Sequence, residues 1–196
     1  MNININKKSD FLTTKWSGGA TTEIAIFPES AKYSQRNFQY RISTATIEVE
    51  QSEFTLLPGF SRVLMILDGS GYIIHEGRFE AELKKYQSHN FSGDWKTSFL
   101  GMATDFNLMT TENYTGNLQV LIIEKTSSVL ELLVETNSLT GFYFYKGLAN
   151  IKTNSEIINC EEGDFISFTE LEKNGNIEIN AIQDCEIIVV KVCCNS

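Results

Sequence analysis

Proline is almost missing from this chain, histidine and arginine are scarce, and long apolar runs are lacking. Two prolines in 196 residues leave few positions that would interrupt a strand, and Pro58 sits in a Pro58-Gly59 turn. No apolar stretch approaches the ~18 residues that suggest a membrane span. The run Met1-Asn2-Ile3-Asn4-Ile5-Asn6-Lys7-Lys8 alternates apolar and polar residues and lacks the apolar core of a secretory signal. It reads as a first strand, and a cytoplasmic protein is expected. Four cysteines fall in the last 37 residues without CxxC spacing or a neighbouring histidine. Reduced thiols follow, with Cys160 and Cys185 fitting as small core residues.

Charge is lopsided as well. Lys and Arg total 16 against 25 Asp and Glu, and the net charge of −9 would repel a phosphate backbone. Nucleic acid is therefore excluded as a partner. All four arginines (Arg36, Arg41, Arg62 and Arg78) lie in the first 78 residues, while the chain from Ser127 onward carries four lysines and eleven carboxylates. A site for a small anion belongs in the first half.

What the chain has in quantity is short apolar runs punctuated by turns, the pattern of an all-β protein. Strands are expected at 24–27, 40–49, 62–68, 72–76, 106–110, 118–124, 141–145, 156–158, 165–168, 177–182 and 186–192. Tight turns are expected at Pro58-Gly59, Asp68-Gly69-Ser70-Gly71, Glu76-Gly77, Ser92-Gly93-Asp94, Gly163-Asp164 and Lys173-Asn174-Gly175-Asn176. Short helices fit only Val129–Thr136 and Glu80–Tyr86. So many strands point to sandwiches or jelly rolls. A faint internal repeat suggests two β-barrels in tandem, residues 1–125 and 126–196, with strands exchangeable between them.

Two arginines inside apolar strands carry the functional reading, because an unpaired buried charge is costly. Alternation places Arg41, Ser43 and Ala45 on the face shared with Ile47 and Val49, so Arg41 points inward. Arg62 shares its face with Leu64 and Ile66, and Asn107 shares its own with Asp105 and Met109. A guanidinium at a barrel mouth can grip a carboxylate with two parallel hydrogen bonds. Ser43 and Asn107 would add neutral donors. Gly18 and Gly19 would let backbone amides approach an anion, beside Thr22 and Glu23. The competing reading pairs the arginines internally, Arg41 with Glu23 or Arg62 with Asp105. Trp16 reads as a packing residue over the first strand.

Five ordered elements carry a resemblance: Trp16-Ser17-Gly18-Gly19-Ala20-Thr21-Thr22-Glu23-Ile24, Tyr40-Arg41-Ile42-Ser43-Thr44-Ala45, Leu57-Pro58-Gly59-Phe60-Ser61-Arg62, Leu67-Asp68-Gly69-Ser70-Gly71 and Asp105-Phe106-Asn107-Leu108-Met109-Thr110. Together they resemble the HutD/Ves family over roughly residues 10–125. Ala20 stands where that family tends to have a third glycine, Thr22 where it often has arginine, and Tyr40 where it has tryptophan. The resemblance implies a bicupin fold. It also implies a regulatory or accessory role in histidine utilisation or stress response, with a histidine-breakdown intermediate such as formylglutamate as ligand.

Many cupins bind a metal through three or four ligands, usually histidines with a carboxylate. The spacing from Gly69 to His75 echoes the start of that motif, with Glu82 at a tolerable distance. Gly77, however, takes the place of the second histidine, and His89 reads as part of a polar loop. No metal, cofactor or catalytic residue is therefore expected. The expected ligand site is Glu23, Arg41, Ser43, Arg62 and Asn107 with Gly18, Gly19 and Thr22. The partner is a small carboxylate, with homodimerisation left open. The alternatives are a cupin-type enzyme acting on a small carboxylic acid, with Glu23 as acid/base, and an interaction scaffold whose arginines are structural.

Overall fold

The computed structural model describes residues 2–125, 129–134, 138–169 and 175–195. Strands dominate, and the helical elements among the described residues are two three-residue 3-10 turns, Lys8–Asp10 and Tyr33–Gln35. The strands of the first half are β1 (Asn2–Asn6), β2 (Leu12–Trp16), β3 (Gly19–Phe27), β4 (Tyr40–Ile47), β5 (Gln51–Glu53) and β6 (Phe60–His75). Next come β7 (Phe79–Lys84), β8 (Ser88–Ser92), β9 (Thr97–Leu100), β10 (Ala103–Thr111) and β11 (Tyr114–Ile123). The remainder are β12 (Val129–Val134), β13 (Ser138–Lys146), β14 (Ala149–Lys152), β15 (Ile157–Cys160), β16 (Phe165–Thr169), β17 (Gly175–Ala181) and β18 (Cys185–Cys194).

The chain divides into two compact units. One comprises residues 11–116 with 195–196, and the other residues 1–10 with 117–194. In the latter, the sheets β1-β16-β13-β18-β11 and β12-β17-β14-β15 both contribute to one core. Phe142, Ile166, Phe168 and Ile187 from the first sheet meet Ile151, Ile158, Ile177 and Ile179 from the second. Burying each such side chain stabilises the fold by about 1.5–3 kcal/mol. Strand β1 is held there by its ladder with β16 and by Lys7, whose Nζ donates to Asp164 Oδ2 at 2.6 Å. Asp164 also accepts from the backbone N–H of Glu161 at 2.9 Å, which ties that carboxylate to its own turn.

In the unit of residues 11–116 the strands run in the order β2-β3-β4-β10-β6-β9-β5, with β7 and β8 also on β6. Its inner face has an apolar cluster at each end. Ile47, Leu64, Ile66, Ile73, Phe91 and Phe99 form one, and Ala31, Phe38, Leu57, Phe60 and Met109 form the other.

Three local expectations are corrected. Asp68-Gly69-Ser70-Gly71 is not a chain-reversing turn: β6 runs through it to His75. Leu67 is an extra residue opposite the Thr104–Asp105 step, and this bulge lets β6 exchange β10 for β7 and β9. Gly69, at φ 78°, lies so close to Met102 O that a Cβ would sit 2.4 Å from it. Glu80–Tyr86 is not helical, and Phe79–Lys84 pairs with β6 as a strand. The alternation of Phe79, Ala81 and Leu83 outweighs the helix-favouring glutamates and lysines. Val129–Val134 is likewise a strand, in register with β17, and residues 135–136 of that expected helix lie outside the described residues. The expected turn at 173–176 is described only at Gly175 and Asn176, which open β17.

Candidate functional site

Strand pairing gathers the polar residues. On β4, Arg41, Ser43 and Ala45 face the same way, and their partners on β10 are Met109, Asn107 and Asp105. Met109 is in turn opposite Arg62 of β6, while Glu23 of β3 is opposite Ser43. These side chains line a cavity of about 690 Å³, completed by Trp16 from β2 and by Tyr33 and Phe54 from the connecting segments.

Arg41 is committed to a protein partner. Its Nε donates to Glu23 Oε2 at 2.6 Å, and its Nη1 donates to Ser43 Oγ at 3.1 Å. The guanidinium lies over the Tyr33 ring, 4.4 Å from its centroid. The expectation that both arginines lack a counter-ion is thus corrected for Arg41. Glu23 sits diagonally across the β3–β4 pair, within easy reach of a long side chain.

Arg62 differs. It is 4% exposed, its guanidinium lies 4.7 Å from the Phe54 ring centroid and 5.0 Å from that of Phe91, and its Nε has no acceptor. Burial lowers its pKa to about 10, so it stays cationic at neutral pH. Asp105 and Arg62 feel each other electrostatically, but among the described residues no ion pair joins them. Asp105 is 2% exposed, and burial pushes its carboxyl up to about 7 despite Arg62 and a hydrogen bond from the Ala45 backbone N–H. Its Oδ1 has no hydrogen-bond partner, and neither does Oδ1 of Asn107 two residues along the same face. Three buried polar atoms on residues of the cavity lining thus lack hydrogen-bond partners, each at an energetic cost.

Arg41, Arg62, Ser43, Glu23 and Asn107 therefore come together, whereas Gly18, Gly19 and Thr22 do not line the cavity. Thr22 faces the other way, with its Oγ1 2.8 Å from that of Thr13 across the β2–β3 hairpin. Gly19 has φ 151°, and a Cβ there would meet Thr46 O at 1.9 Å. Gly18 lies under the Trp16 ring, and its carbonyl accepts from Glu48 N–H. Both glycines thus allow close packing of the hairpin. Asp105, Tyr33 and Phe54 were not expected as lining residues. Period-two spacing from Asn107 points to Asp105, whereas Tyr33 and Phe54 lie between strands, where periodicity carries no information.

His75 and His89 meet elsewhere in the same unit. His89 lies on β8, not in a loop, and the two Nε2 atoms are 2.9 Å apart. Phe79, Phe91 and Trp95 surround His75, and its Nδ1 is 2.8 Å from Thr97 Oγ1. Among the described residues no three His, Cys, Asp or Glu side chains gather as metal ligands. Two imidazoles enclosed by aromatic rings do not fit a cupin-type ligand set. No helix among the described residues is long and apolar enough to cross a membrane.

Comparison with known proteins agrees with this architecture. Over its whole length the chain superposes on all of a conserved protein of unknown function, PA5104 from Pseudomonas aeruginosa PAO1, with a TM-score of 0.84 and 21% identity. It also matches HutD from Pseudomonas fluorescens SBW25, determined in a formate condition, with a TM-score of 0.76, 20% identity and full coverage of both chains. Such neighbours make the fold cupin-like. Protein Ves from Citrobacter koseri is 37% identical over 103 residues, 48% of this chain, and the match spans about half (51%) of that relative's length. The HutD family model matches residues 8–189, nearly the whole chain, and the chain belongs to the HutD family.

Proposed function

We propose that the cavity of residues 11–116 binds a small carboxylate, and that the protein serves as a metabolite-binding accessory or regulatory factor in the cytoplasm. One observation carries this reading: the Arg62 guanidinium is buried against the cavity, lacks a carboxylate partner and has an Nε without an acceptor. A ligand carboxylate is the group that a planar, desolvated guanidinium binds best. Arg41, already neutralised by Glu23, shapes the wall and fixes Ser43. The two units are read as the two barrels of a bicupin, with the ligand in the first. A histidine-breakdown intermediate such as formylglutamate is the corresponding pathway reading.

A thermal-shift screen with small mono- and dicarboxylates tests this. A true ligand at a hundredfold excess over its dissociation constant stabilises the protein by about 2.7 kcal/mol. Arg62→Met should abolish the shift. A shift that survives in that variant would refute the assignment.

A second reading, a cupin-type enzyme acting on the same class of acid, is favoured by one feature. Asp105 is a buried carboxyl whose pKa of about 7 suits general acid/base work. Product formation from the screening hit, followed by mass spectrometry, distinguishes turnover from binding.

A further inference from the structure

We propose that Asp105 makes anion binding proton-coupled: above neutral pH, each monoanion entering the cavity is accompanied by one proton, taken from solvent onto the Asp105 carboxylate. This rests on the carboxylate-binding reading and adds the residue that sets the charge state of the occupied site.

The charges on every element around the cavity lead to this conclusion. Arg41 of β4 is cancelled by Glu23 of β3 at 2.6 Å. Arg62 of β6 and Asp105 of β10 are the other buried charges in the lining. Lys32 and Glu53, both exposed, carry opposite charges in the same lining. With Asp105 ionised, the lining carries no net charge. A carboxylate entering would then face a second, buried carboxylate, and each like charge disfavours ionisation of the other.

The hydrogen-bond inventory agrees. Oδ1 of Asp105 receives no donor, and Oδ1 of Asn107 is equally without one. A proton on Asp105 converts an acceptor lacking a donor into an O–H. That O–H can donate to an incoming carboxylate, which the ionised group cannot do. Burial already holds this carboxyl near neutrality, so the proton is available at physiological pH. His75 and His89 are both pulled below the ordinary histidine value and stay neutral above pH 7, so they do not confuse the measurement.

Calorimetric titration with sodium formate at pH 6.5, 7.5 and 8.5, in two buffers of different ionisation enthalpy, provides the test. Affinity should fall about tenfold per pH unit above 7, with close to one proton taken up per formate at pH 8.5. Asp105→Asn, which keeps the shape and lacks the proton, should bind with an affinity independent of pH and with no proton uptake. Formate binding by the wild type with flat affinity and no proton uptake overturns the coupling while leaving the carboxylate site intact. No formate binding at any of the three pH values overturns both.

Discussion

Arg41 and Glu23 close a 2.6 Å ion pair diagonally across β3 and β4, whereas Arg62, on the same cavity wall, has no ion-pair partner among the described residues. Two arginines that look equivalent in sequence therefore have different roles. One is neutralised by an acid across the β3–β4 pair, and the other is buried without one.

Glu23→Gln separates those roles. Arg41 loses a charged partner but keeps a hydrogen-bond acceptor, so stability in urea should fall by about 1–3 kcal/mol. The cavity gains positive charge, so formate should bind more tightly than to the wild type. Weaker binding would mean that Glu23 itself holds the ligand.

Arg62→Met should behave in the opposite manner. Removing a buried cation that lacks a carboxylate, and filling its stem volume between Phe54 and Phe91, should leave stability within about 1 kcal/mol of the wild type or raise it. Equilibrium unfolding checks this. A loss of several kcal/mol would identify Arg62 as a structural residue.

Asp105 gives a pH-dependent stability of definite sign. Its folded-state pKa, about 7, is above the ordinary aspartate value of 3.8, so between those values the folded state holds the extra proton. Stability from this group is present below pH 3.8 and is lost as pH rises through 7. Asp105→Asn should thus be more stable than the wild type at pH 8, by roughly 4 kcal/mol, and close to it near pH 4. Urea unfolding at the two pH values reads the difference, and a less stable variant at pH 8 would contradict the assignment.

The histidine pair acts in the other direction. Thr97 Oγ1 donates to Trp95 O, so it accepts from His75 Nδ1–H, which leaves His75 Nε2 to accept from His89 Nε2–H. Burial, the neighbouring His89 and Arg78 lower the His75 pKa from 6.5 to about 4. The unfolded chain therefore binds the proton first, and stability falls as pH drops from 6.5 toward 4, by roughly 2–3 kcal/mol. His75→Gln/His89→Gln should remove that slope when compared with the wild type at each pH. An unchanged slope would place its origin elsewhere.

Gly19→Ala and Gly18→Ala should differ in cost. At Gly19 the obstacle is backbone oxygen 1.9 Å from the new Cβ, with φ in a region that L residues avoid, so a loss of about 2–4 kcal/mol is expected. At Gly18 the obstacle is the Trp16 ring at 2.1 Å, a side chain that can swing away. Gly18→Ala should shift the tryptophan fluorescence at a smaller stability cost. Equal thermal denaturation of the two variants would contradict the packing described.

Much of the site was legible because strands impose strict alternation. Arg41, Ser43, Arg62 and Asn107 were placed inward by counting in twos, and the structure brings them to one cavity. Counting could not tell which arginine finds an acid, since that depends on how far β3 slides along β4. The bulge at Ile24, between Glu23 and Ala25, belongs to that register. Gly18 and Gly19 suggest amide donors from sequence because glycine allows close approach. What approaches them is Trp16 and Thr46 of the same chain. The Asp68–Gly71 segment was read as a turn from composition, whereas the bulge at Leu67 keeps β6 continuous through it. The Tyr33 and Phe54 contacts each reach eight residues along the chain, from a connecting segment to an arginine on the strand that follows, and strand alternation does not extend into those segments.

The proposed contact between Arg62 and a carboxylate can be tested at the guanidinium itself. With only four arginines in the chain, the Nε–Hε region of a 1H–15N spectrum holds at most four arginine signals, and Arg62→Met assigns one of them by its loss. On titration with sodium formate the Arg62 signal should move and saturate, while that of Arg41, held by Glu23, should move far less. A spectrum in which Arg62 stays fixed, or in which only the exposed Arg36 and Arg78 respond, would contradict a carboxylate site in this cavity.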